Sequence, residues 1–284
     1  MVNLPEAFGE TPKCFRTGKT RGTRVLPCQR PSTVDGFRNS PEAYCVVSVR
    51  SVNYPVALML RLVLFDIDGT LIHTDSAGIR AFAKVLEMQF KIPKGTEGVK
   101  FAGRTDTSLV REIFALHRIE TSKENFHIFF EQYTLWLAHL LLESKGDIYP
   151  GVWRFIYELQ RLPEPPLLGL LTGNIRLGAE IKLRHFNLWD FFTTGAFGDD
   201  HEDRRQIAAI AHERGARVLD RKITGEEVLV IGDTPRDIDC GKAIGAKVLA
   251  VATGDSTMAE LQAHNPTWAV SSLDKVRAKE ICRL

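Results

Sequence analysis

The sequence predicts an α/β protein: a doubly wound, Rossmann-like parallel sheet with a small α-helical domain inserted into it. Three observations support this fold class. Short apolar runs typical of buried parallel strands recur along the chain, helical patterns separate the later runs, and a long helical stretch interrupts the alternation. Alternating strands and helices favour a sheet covered by helices on both faces.

Four apolar runs, each leading into a short polar or glycine-containing turn, are the predicted strands. They are RLVLFDIDG (61–69), PLLGLLTGN (166–174), EVLVIGDTP (227–235) and AKVLAVATG (246–254). Ligands of doubly wound sheets bind outside the carboxyl ends of the strands. In this interpretation Asp66, Thr172 and Asp233 all lie at that edge.

Three helical patterns connect the later strands. They are PGVWRFIYELQRL (150–162), RRQIAAIAHERG (204–215) and PRDIDCGKAIGA (235–246). The first places Val152, Phe155, Ile156 and Leu159 on one face, which predicts a helix packed on the sheet. The second ends at a glycine and the third begins at a proline, as helices commonly do.

One interval is too long for a single crossover. About 95 residues separate Ile72 from Pro166, whereas a whole strand–helix–strand unit needs roughly 30. The excess is helical over 76–90, 105–116 and 125–144, and the last pattern is apolar on more than one face, which predicts burial in a bundle. We assign 76–148 to an inserted helical cap, well placed to act as a lid, and 59–75 with 149–284 to the α/β core.

Residues 1–58 differ from the rest of the chain. They hold eight Lys/Arg, four Asp/Glu and six of the 13 prolines. A targeting peptide, a disordered basic tail and upstream translation foreign to the natural protein are the three alternatives. We expect a disordered or non-native extension, because Met59 immediately precedes the first predicted strand.

The composition excludes several classes of partner. The formal net charge of +2 predicts no nucleic-acid partner, and no apolar run approaches the roughly 18 residues of a membrane helix. The five cysteines contain no CxxC pair, and an odd count does not suggest a disulfide framework. A reducing cytoplasm is the simplest expectation.

Asp66 and Asp68 stand where carboxylates are costly, at the end of a buried strand. An Asp-Gly turn explains Asp68 with Gly69 but not Asp66. Asp233 follows another predicted strand, with Asp237 four residues later. If the two strands are neighbours, like charges about 4 Å apart cost about 4 kcal/mol per pair at an effective dielectric near 20. Such a cluster needs a cation, and an all-oxygen ligand set favours Mg²⁺.

The surrounding residues suit a phosphate group. The hydroxyl of Thr172 and the following backbone N–H of Gly173 can donate to a phosphoryl oxygen, and the amides of Gly69 and Thr70 are expected to do the same. Arg204 or Arg205 can supply a fixed cation. Phosphoryl transfer consists mostly of positioning and charge stabilisation, which these groups provide.

The segments DIDGTLI, LLTGN and GDTPRDID resemble three of the four motifs of the haloacid dehalogenase-like hydrolase superfamily. They occur in order, each after a predicted strand, and the resemblance covers about residues 59–284. The helical insert and the segment FAGRTD (101–106) resemble the cap of the phosphoglycolate phosphatase and β-phosphoglucomutase-like branch.

The resemblance implies roles for individual residues. Asp66 would be the nucleophile, and Asp68 would protonate the leaving oxygen and then activate water. Mg²⁺ would be held by Asp66, the backbone carbonyl of Asp68 and Asp233. Asp237 would ligate through water or hold the basic residue, and Thr172 would bind the phosphoryl group.

The third motif departs from the family pattern. The family usually has a lysine there, and this chain has none between Lys182 and Lys222. Arg204 is the expected replacement and Arg205 the second choice, since arginine stays charged and bridges bidentately. The alternative is that both arginines form a solvated first helical turn.

Other residues have competing interpretations. Arg104 and Thr105 are candidates for substrate contacts in the cap loop, but Thr105 could equally be a plain helix N-cap. Asn174 supports Thr172 or contacts the phosphate.

The expected function is Mg²⁺-dependent hydrolysis of a small phosphomonoester by a monomer or homodimer, with phosphoglycolate suggested only by resemblance. The alternatives are a phosphomutase of the same fold and a catalytically idle binding module. The presence of Asp68, Asp233 and Asp237 favours phosphate chemistry over cleavage of a carbon–halogen bond.

Overall fold

A computed structural model describes residues 59–282 of the chain, and its strands form two sheets. The eight strands are β1 (Leu62–Phe65), β2 (Ile72–His73), β3 (Asp147–Ile148), β4 (Leu167–Leu171), β5 (Thr194–Ala196), β6 (Val228–Gly232), β7 (Lys247–Val251) and β8 (Trp268–Val270). Six of them form a parallel sheet in the order β5-β4-β1-β6-β7-β8. The predicted α/β fold class is confirmed, and β5 and β8 add edges that the sequence did not predict.

The strand order places the candidate residues at one point of the sheet. The chain builds β4 and β5 on one side of β1 and then crosses to build β6, β7 and β8 on the other side. Leu62 is in register with both Leu167 and Val228, so β4 and β6 flank β1 directly. The topological switch point, where ligands bind in such sheets, therefore lies at the carboxyl ends of these three strands.

Nine α-helices lie among the described residues. They are α1 (Ala77–Phe90), α2 (Asp106–Leu116), α3 (Lys123–Leu142), α4 (Val152–Gln160), α5 (Arg176–His185), α6 (Arg204–Val218), α7 (Pro235–Ala243), α8 (Met258–Ala263) and α9 (Ala278–Ile281). The three core helices expected from the sequence correspond to α4, α6 and α7.

Alternate residues of the central strand supply the two faces of the core. Val63 and Phe65 pack with residues of α4, α5 and α9, while Leu62 and Leu64 pack with residues of α6, α7 and α8. All four side chains are fully buried. A strand buried on both faces explains why the sequence reads as a continuous apolar run and not as an alternating one.

The helical insert has its own apolar cluster, built by α1, α2 and α3 with Ile175 of the core. The ring of Phe82 lies 4.8 Å from that of Tyr133 and 5.0 Å from that of Phe129. The expected packing of α3 in a bundle is confirmed, since Phe129, Tyr133 and Leu137 are buried in this cluster. The burial is not complete, because Leu135 and Leu142 are 62% and 78% exposed.

The insert leaves and rejoins the core at neighbouring points. The short strands β2 and β3 pair antiparallel, with Ile72 opposite Ile148. Helices α1, α2 and α3 lie between these two strands in the chain. We therefore propose 76–148 as the cap and 59–75 with 149–284 as the core. The expectation about residues 1–58 lies outside the described residues. Within 59–282, no helix is long and apolar enough to cross a bilayer.

Candidate active site

Three of the candidate residues immediately follow neighbouring parallel strands. Asp66 follows β1, Thr172 follows β4 and Asp233 follows β6. The ladder continues one step beyond the strands, since the Asp66 amide donates to Ile231 O at 2.9 Å and the Thr172 amide to Ala196 O at 3.2 Å. The backbones of Asp66 and Thr172 are thus held by the sheet.

The turn after Asp66 is held by hydrogen bonds of its own backbone. The amides of Gly69 and Thr70 donate to Ile72 O and Ile67 O at 3.0 and 3.3 Å. The turn thus already uses both amides, and a contact of Gly69 or Thr70 with the substrate stays a prediction. The Thr70 hydroxyl donates to Asp233 Oδ1 at 2.9 Å. Gly69, at φ 84°, leaves space that a Cβ would take from the Asp233 carboxylate.

Asp66, Asp233 and Asp237 form a buried carboxylate cluster. One oxygen of each lies within 4.8 Å of the other two, and the residues are 6%, 3% and 0% exposed. Burial raises the pKa of Asp66 to about 7, although Arg204 opposes the shift. Burial, together with the neighbouring carboxylates of Asp237 and Asp66, also raises the pKa of Asp233 well above its ordinary value. Such a cluster is costly without a compensating cation.

Arg204, the first residue of α6, reaches this cluster. Its guanidinium pairs with Asp237, and Nη2 lies 3.5 Å from Asp66 Oδ2. Burial opposes the charge of Arg204, but Asp237 and Asp66 outweigh it and raise the pKa of the guanidinium. Arg205 is exposed. Of these two arginines, Arg204 is the one that contacts the carboxylates. The structure thus brings Arg204, and not Arg205, into the site.

Asp237 holds Arg204 from the first turn of α7. Its Oδ1 accepts from Arg204, and its Oδ2 accepts from the backbone amide and hydroxyl of Thr234 at 3.0 and 2.6 Å. These bonds form a capping box that fixes the carboxylate at the helix N-terminus. Of the two roles expected for Asp237, holding the basic residue is the one that these contacts match.

The segment Thr172–Asn174 presents unused donors. The Thr172 hydroxyl accepts from the backbone and side-chain amides of Asn174 at 3.3 and 3.0 Å. Within residues 59–282, this hydroxyl has no acceptor for its own proton, and the backbone amides of Gly173 and Asp68 donate to no protein oxygen. A Cβ at Gly173 would overlap the carbonyl of Arg104, so the close approach of the cap loop requires glycine here.

Asp68 has a partner, Lys182, that the sequence motifs did not predict. Its Oδ2 accepts from Lys182 Nζ at 2.6 Å and from Asn174 Nδ2 at 2.7 Å. Lys182 is 4% exposed and lies on the buried face of α5 with Gly178, Ala179 and Leu183. The other buried residues of α5 are small or apolar. A lysine on this face was therefore a signal in the sequence that could have identified Lys182 as a site residue.

The cap loop supplies less than expected. The Thr105 hydroxyl caps α2 by accepting from the Ser108 amide, and it donates to Glu202 O at 3.1 Å. Thr105 thus forms the helix N-cap that was the alternative interpretation, and a substrate contact of Thr105 stays a prediction. Arg104 lines the cavity, but its guanidinium pairs with Glu112.

A cavity of about 340 Å³ opens above the carboxylates, between core and insert. Asp66, Asp68, Thr172 and Arg204 lie at its base. Apolar and aromatic side chains dominate the wall formed by the insert: Ile79, Phe82, Phe101, Leu109 and Tyr133. The arrangement can hold an anion against the strand ends and an apolar group against the cap.

The chain belongs to the haloacid dehalogenase-like hydrolase family, whose model matches residues 63–251. The family resemblance carried by the three motifs is thereby confirmed. Solved structures of the same fold include proteins whose names refer to phosphoglycolate phosphatase and to β-phosphoglucomutase. Phosphatases are prominent among the similar proteins.

Three similar proteins illustrate the extent of the likeness. Pyrophosphatase PpaX of Bacillus mycoides (strain KBAB4) is 27% identical over 218 residues, which cover 76% of this chain and 94% of that protein. A Haemophilus somnus protein described as a predicted phosphoglycolate phosphatase has a TM-score of 0.59 at 17% identity, covering 78% of this chain and 96% of its own. CbbY of Rhodobacter sphaeroides in complex with phosphate has a TM-score of 0.59 at 17% identity, covering 76% and 95%.

Proposed function

We propose that this protein is a Mg²⁺-dependent phosphatase that hydrolyses a small phosphomonoester through Asp66. One observation carries the proposal. The Asp66 carboxylate lines the cavity with Arg204 3.5 Å away, and Asp68, Thr172 and Gly173, which carry unused donors, line the same cavity. A nucleophile beside convergent donors is what phosphoryl transfer requires.

The reaction proceeds in two steps. A carboxylate oxygen of Asp66 attacks the phosphorus atom, the ester P–O bond breaks, and the leaving oxygen takes a proton from Asp68. Asp68, now ionised, then removes a proton from a water molecule, whose oxygen attacks the aspartyl-phosphate and releases phosphate and Asp66. Arg204, the Thr172 hydroxyl and the unused amides stabilise the charge on the phosphoryl oxygens in both steps.

The residues at the site fit a divalent cation. Four carboxylates and two basic side chains meet here, which leaves a formal excess of two negative charges. The six residues are Asp66, Asp68, Asp233, Asp237, Arg204 and Lys182. Asp66, Asp233 and the backbone carbonyl of Asp68 would hold Mg²⁺, whose oxygen preference matches this donor set. When bound, the ion supplies the positive charge that offsets the carboxylates and the phosphoryl oxygens.

The cavity favours a substrate whose leaving group carries no second anionic group. Each arginine or lysine on its described walls is already paired: Arg104 with Glu112, Lys182 with Asp68, and Arg204 with Asp237. Phosphoglycolate, with its carboxylate, and pyrophosphate, with its second phosphate, would each bring an anion that finds no unengaged arginine or lysine on these walls. The apolar cap wall instead suits a neutral alcohol with an apolar or aromatic portion.

Phosphate release by an Asp66→Asn variant tests the proposed function. We expect wild-type enzyme with Mg²⁺ to release phosphate from p-nitrophenyl phosphate and the variant to lose at least about 10³-fold in kcat, because the amide is not a nucleophile. Asp190→Asn, at an 86% exposed side chain, is the matched control and should retain wild-type activity. Equal activity of Asp66→Asn and wild type would contradict the proposal.

A further inference from the structure

We propose that Lys182 is a positioning residue that holds the Asp68 carboxylate in the orientation needed for proton transfer. This inference rests on the proposed function and assigns a role to a residue outside the motifs that carry the family resemblance. Lys182 lies on α5, ten positions after Thr172, and reaches the site from the side of the sheet opposite to Arg204.

The geometry gives the two oxygens of Asp68 different environments. Oδ2 accepts from Lys182 at 2.6 Å and from Asn174 at 2.7 Å, while Lys182 also donates to Asn174 Oδ1 at 2.6 Å. The three side chains thus form a closed triangle. Within residues 59–282, Oδ1 has no protein donor, so it is the oxygen left to exchange a proton with the leaving group.

The energetic cost of this arrangement points to a role beyond packing. An ammonium group that is 4% exposed loses most of its hydration, and burial of this kind persists only where partners compensate. Asp68 is 43% exposed at its side chain and lies on a turn open to the cavity. Without Lys182 its carboxylate keeps one donor, Asn174, and gains the freedom to rotate toward solvent.

Loss of Lys182 should therefore impair proton donation more than nucleophilic attack. A p-nitrophenolate leaves without protonation because it is a weak base, whereas an alkoxide leaves slowly unless Asp68 protonates it. Positioned acid–base groups contribute typically about 10²–10⁴-fold. The damage in a Lys182 variant should consequently depend on the leaving group, which a general loss of structure would not produce.

The test compares kcat/KM for p-nitrophenyl phosphate and n-propyl phosphate in wild type, Lys182→Met and Lys182→Arg. The value of kcat/KM depends only on the steps up to release of the alcohol. Slow hydrolysis of the aspartyl-phosphate therefore does not affect it. We expect Lys182→Met to lose about 10²-fold on n-propyl phosphate but no more than about tenfold on p-nitrophenyl phosphate. Lys182→Arg, which keeps the charge, should recover part of the difference, and Lys222→Met, at an exposed lysine, should match wild type.

A second readout follows from the role of Asp68 as a base. In Lys182→Met the aspartyl-phosphate should accumulate, so p-nitrophenol should appear in a burst close to one equivalent per enzyme before the slower steady state. Equal losses on the two substrates without a burst, or no loss at all, would overturn the inference. If Lys182→Met does not fold, Lys182→Gln serves the same comparison.

The outcome separates this inference from the proposed function. Absence of phosphate release by wild-type enzyme, or full activity of Asp66→Asn, defeats the proposed function. The inference about Lys182 fails when wild type is active and Asp66-dependent but Lys182→Met loses both substrates in proportion.

Discussion

Nη2 of Arg204 lies 3.5 Å from Oδ2 of Asp66, at the carboxyl end of the central strand. The contact joins the start of α6 to the residue that follows β1, and we propose that Arg204 takes the role of the lysine that the family usually has. The same guanidinium pairs with the fully buried Asp237. One arginine therefore contacts both the proposed nucleophile and a neighbouring buried carboxylate.

Replacement of Arg204 should cost both activity and stability. Removing one partner of a buried ion pair typically costs about 3–5 kcal/mol, because the other charge stays buried. We expect Arg204→Met to lose about 10²–10³-fold in kcat. We also expect it to lower the free energy of unfolding by about 3–5 kcal/mol. Arg204→Lys should retain measurable turnover. Urea denaturation and phosphate release measure the two effects, and Arg205→Met, at an exposed position, should show neither.

Magnesium should stabilise the folded protein independently of turnover. Binding at 100 times Kd adds about 2.7 kcal/mol, which raises Tm measurably. We expect this rise in wild type and in Asp190→Asn, and its loss in Asp233→Asn. Without Mg²⁺, Asp233→Asn should be at least as stable as wild type, because it removes one of three crowded carboxylates. A rise in Tm of equal size in Asp233→Asn would place the ion elsewhere.

The stability of the protein should depend on pH through Asp106. Burial raises the pKa of this carboxyl from 3.8 to about 7, with Lys182 and the Ile175 amide opposing the shift. A group whose pKa is raised by folding contributes stability below its unfolded pKa, and that contribution is lost as pH rises through about 7.

Asp106→Asn should remove this dependence, because the amide oxygen can still accept from the Ile175 amide, which donates to Asp106 at 2.9 Å. Relative to wild type, the variant should gain stability between about pH 4 and pH 7, by at most on the order of 4 kcal/mol, and the difference should then stay constant. Urea midpoints at pH 5 and pH 8 measure it. If the stability of the variant relative to wild type fell as pH rises, the pKa of Asp106 would be lowered by folding and not raised, and the prediction would be wrong.

Release of Arg104 should change substrate choice. In wild type we expect phosphoglycolate and pyrophosphate to be poorer substrates than neutral phosphomonoesters, since Glu112 already engages this arginine. Glu112→Gln removes the competing carboxylate, and kcat/KM for phosphoglycolate should rise about tenfold, the equivalent of about 1.4 kcal/mol. The value for a neutral ester should change little. Efficient phosphoglycolate hydrolysis by wild type would refute the proposed preference.

The strand-end residues were predictable because parallel strands align their carboxyl ends. Asp66 follows one apolar run and Asp233 follows a later one. If the two runs form neighbouring parallel strands, the two carboxylates must lie close together. The choice between Arg204 and Arg205 was also encoded locally. Arg204 shares the buried face of α6 with Ile207, Ala208 and Ala211, a spacing visible in the sequence.

Other features depend on contacts that no local pattern reports. Lys182 reaches Asp68 only because α5 packs against the sheet with one particular rotation. The amides of Gly69 and Thr70 are used within their own turn, which follows from backbone dihedral angles and not from residue types. Strand β5 has three residues, one of them glycine, so neither its length nor its periodicity distinguishes it from a loop.

Identification of the phosphorylated residue tests whether Asp66 is the nucleophile. Enzyme quenched in acid during turnover, then reduced with borohydride, converts an acyl-phosphate to an alcohol that peptide mass spectrometry locates. We expect this conversion at Asp66, its absence in enzyme without substrate, and its greater yield in Lys182→Met. Conversion at Asp68 or Asp233, or rapid turnover with no converted carboxylate, would contradict the assignment of Asp66 as the nucleophile.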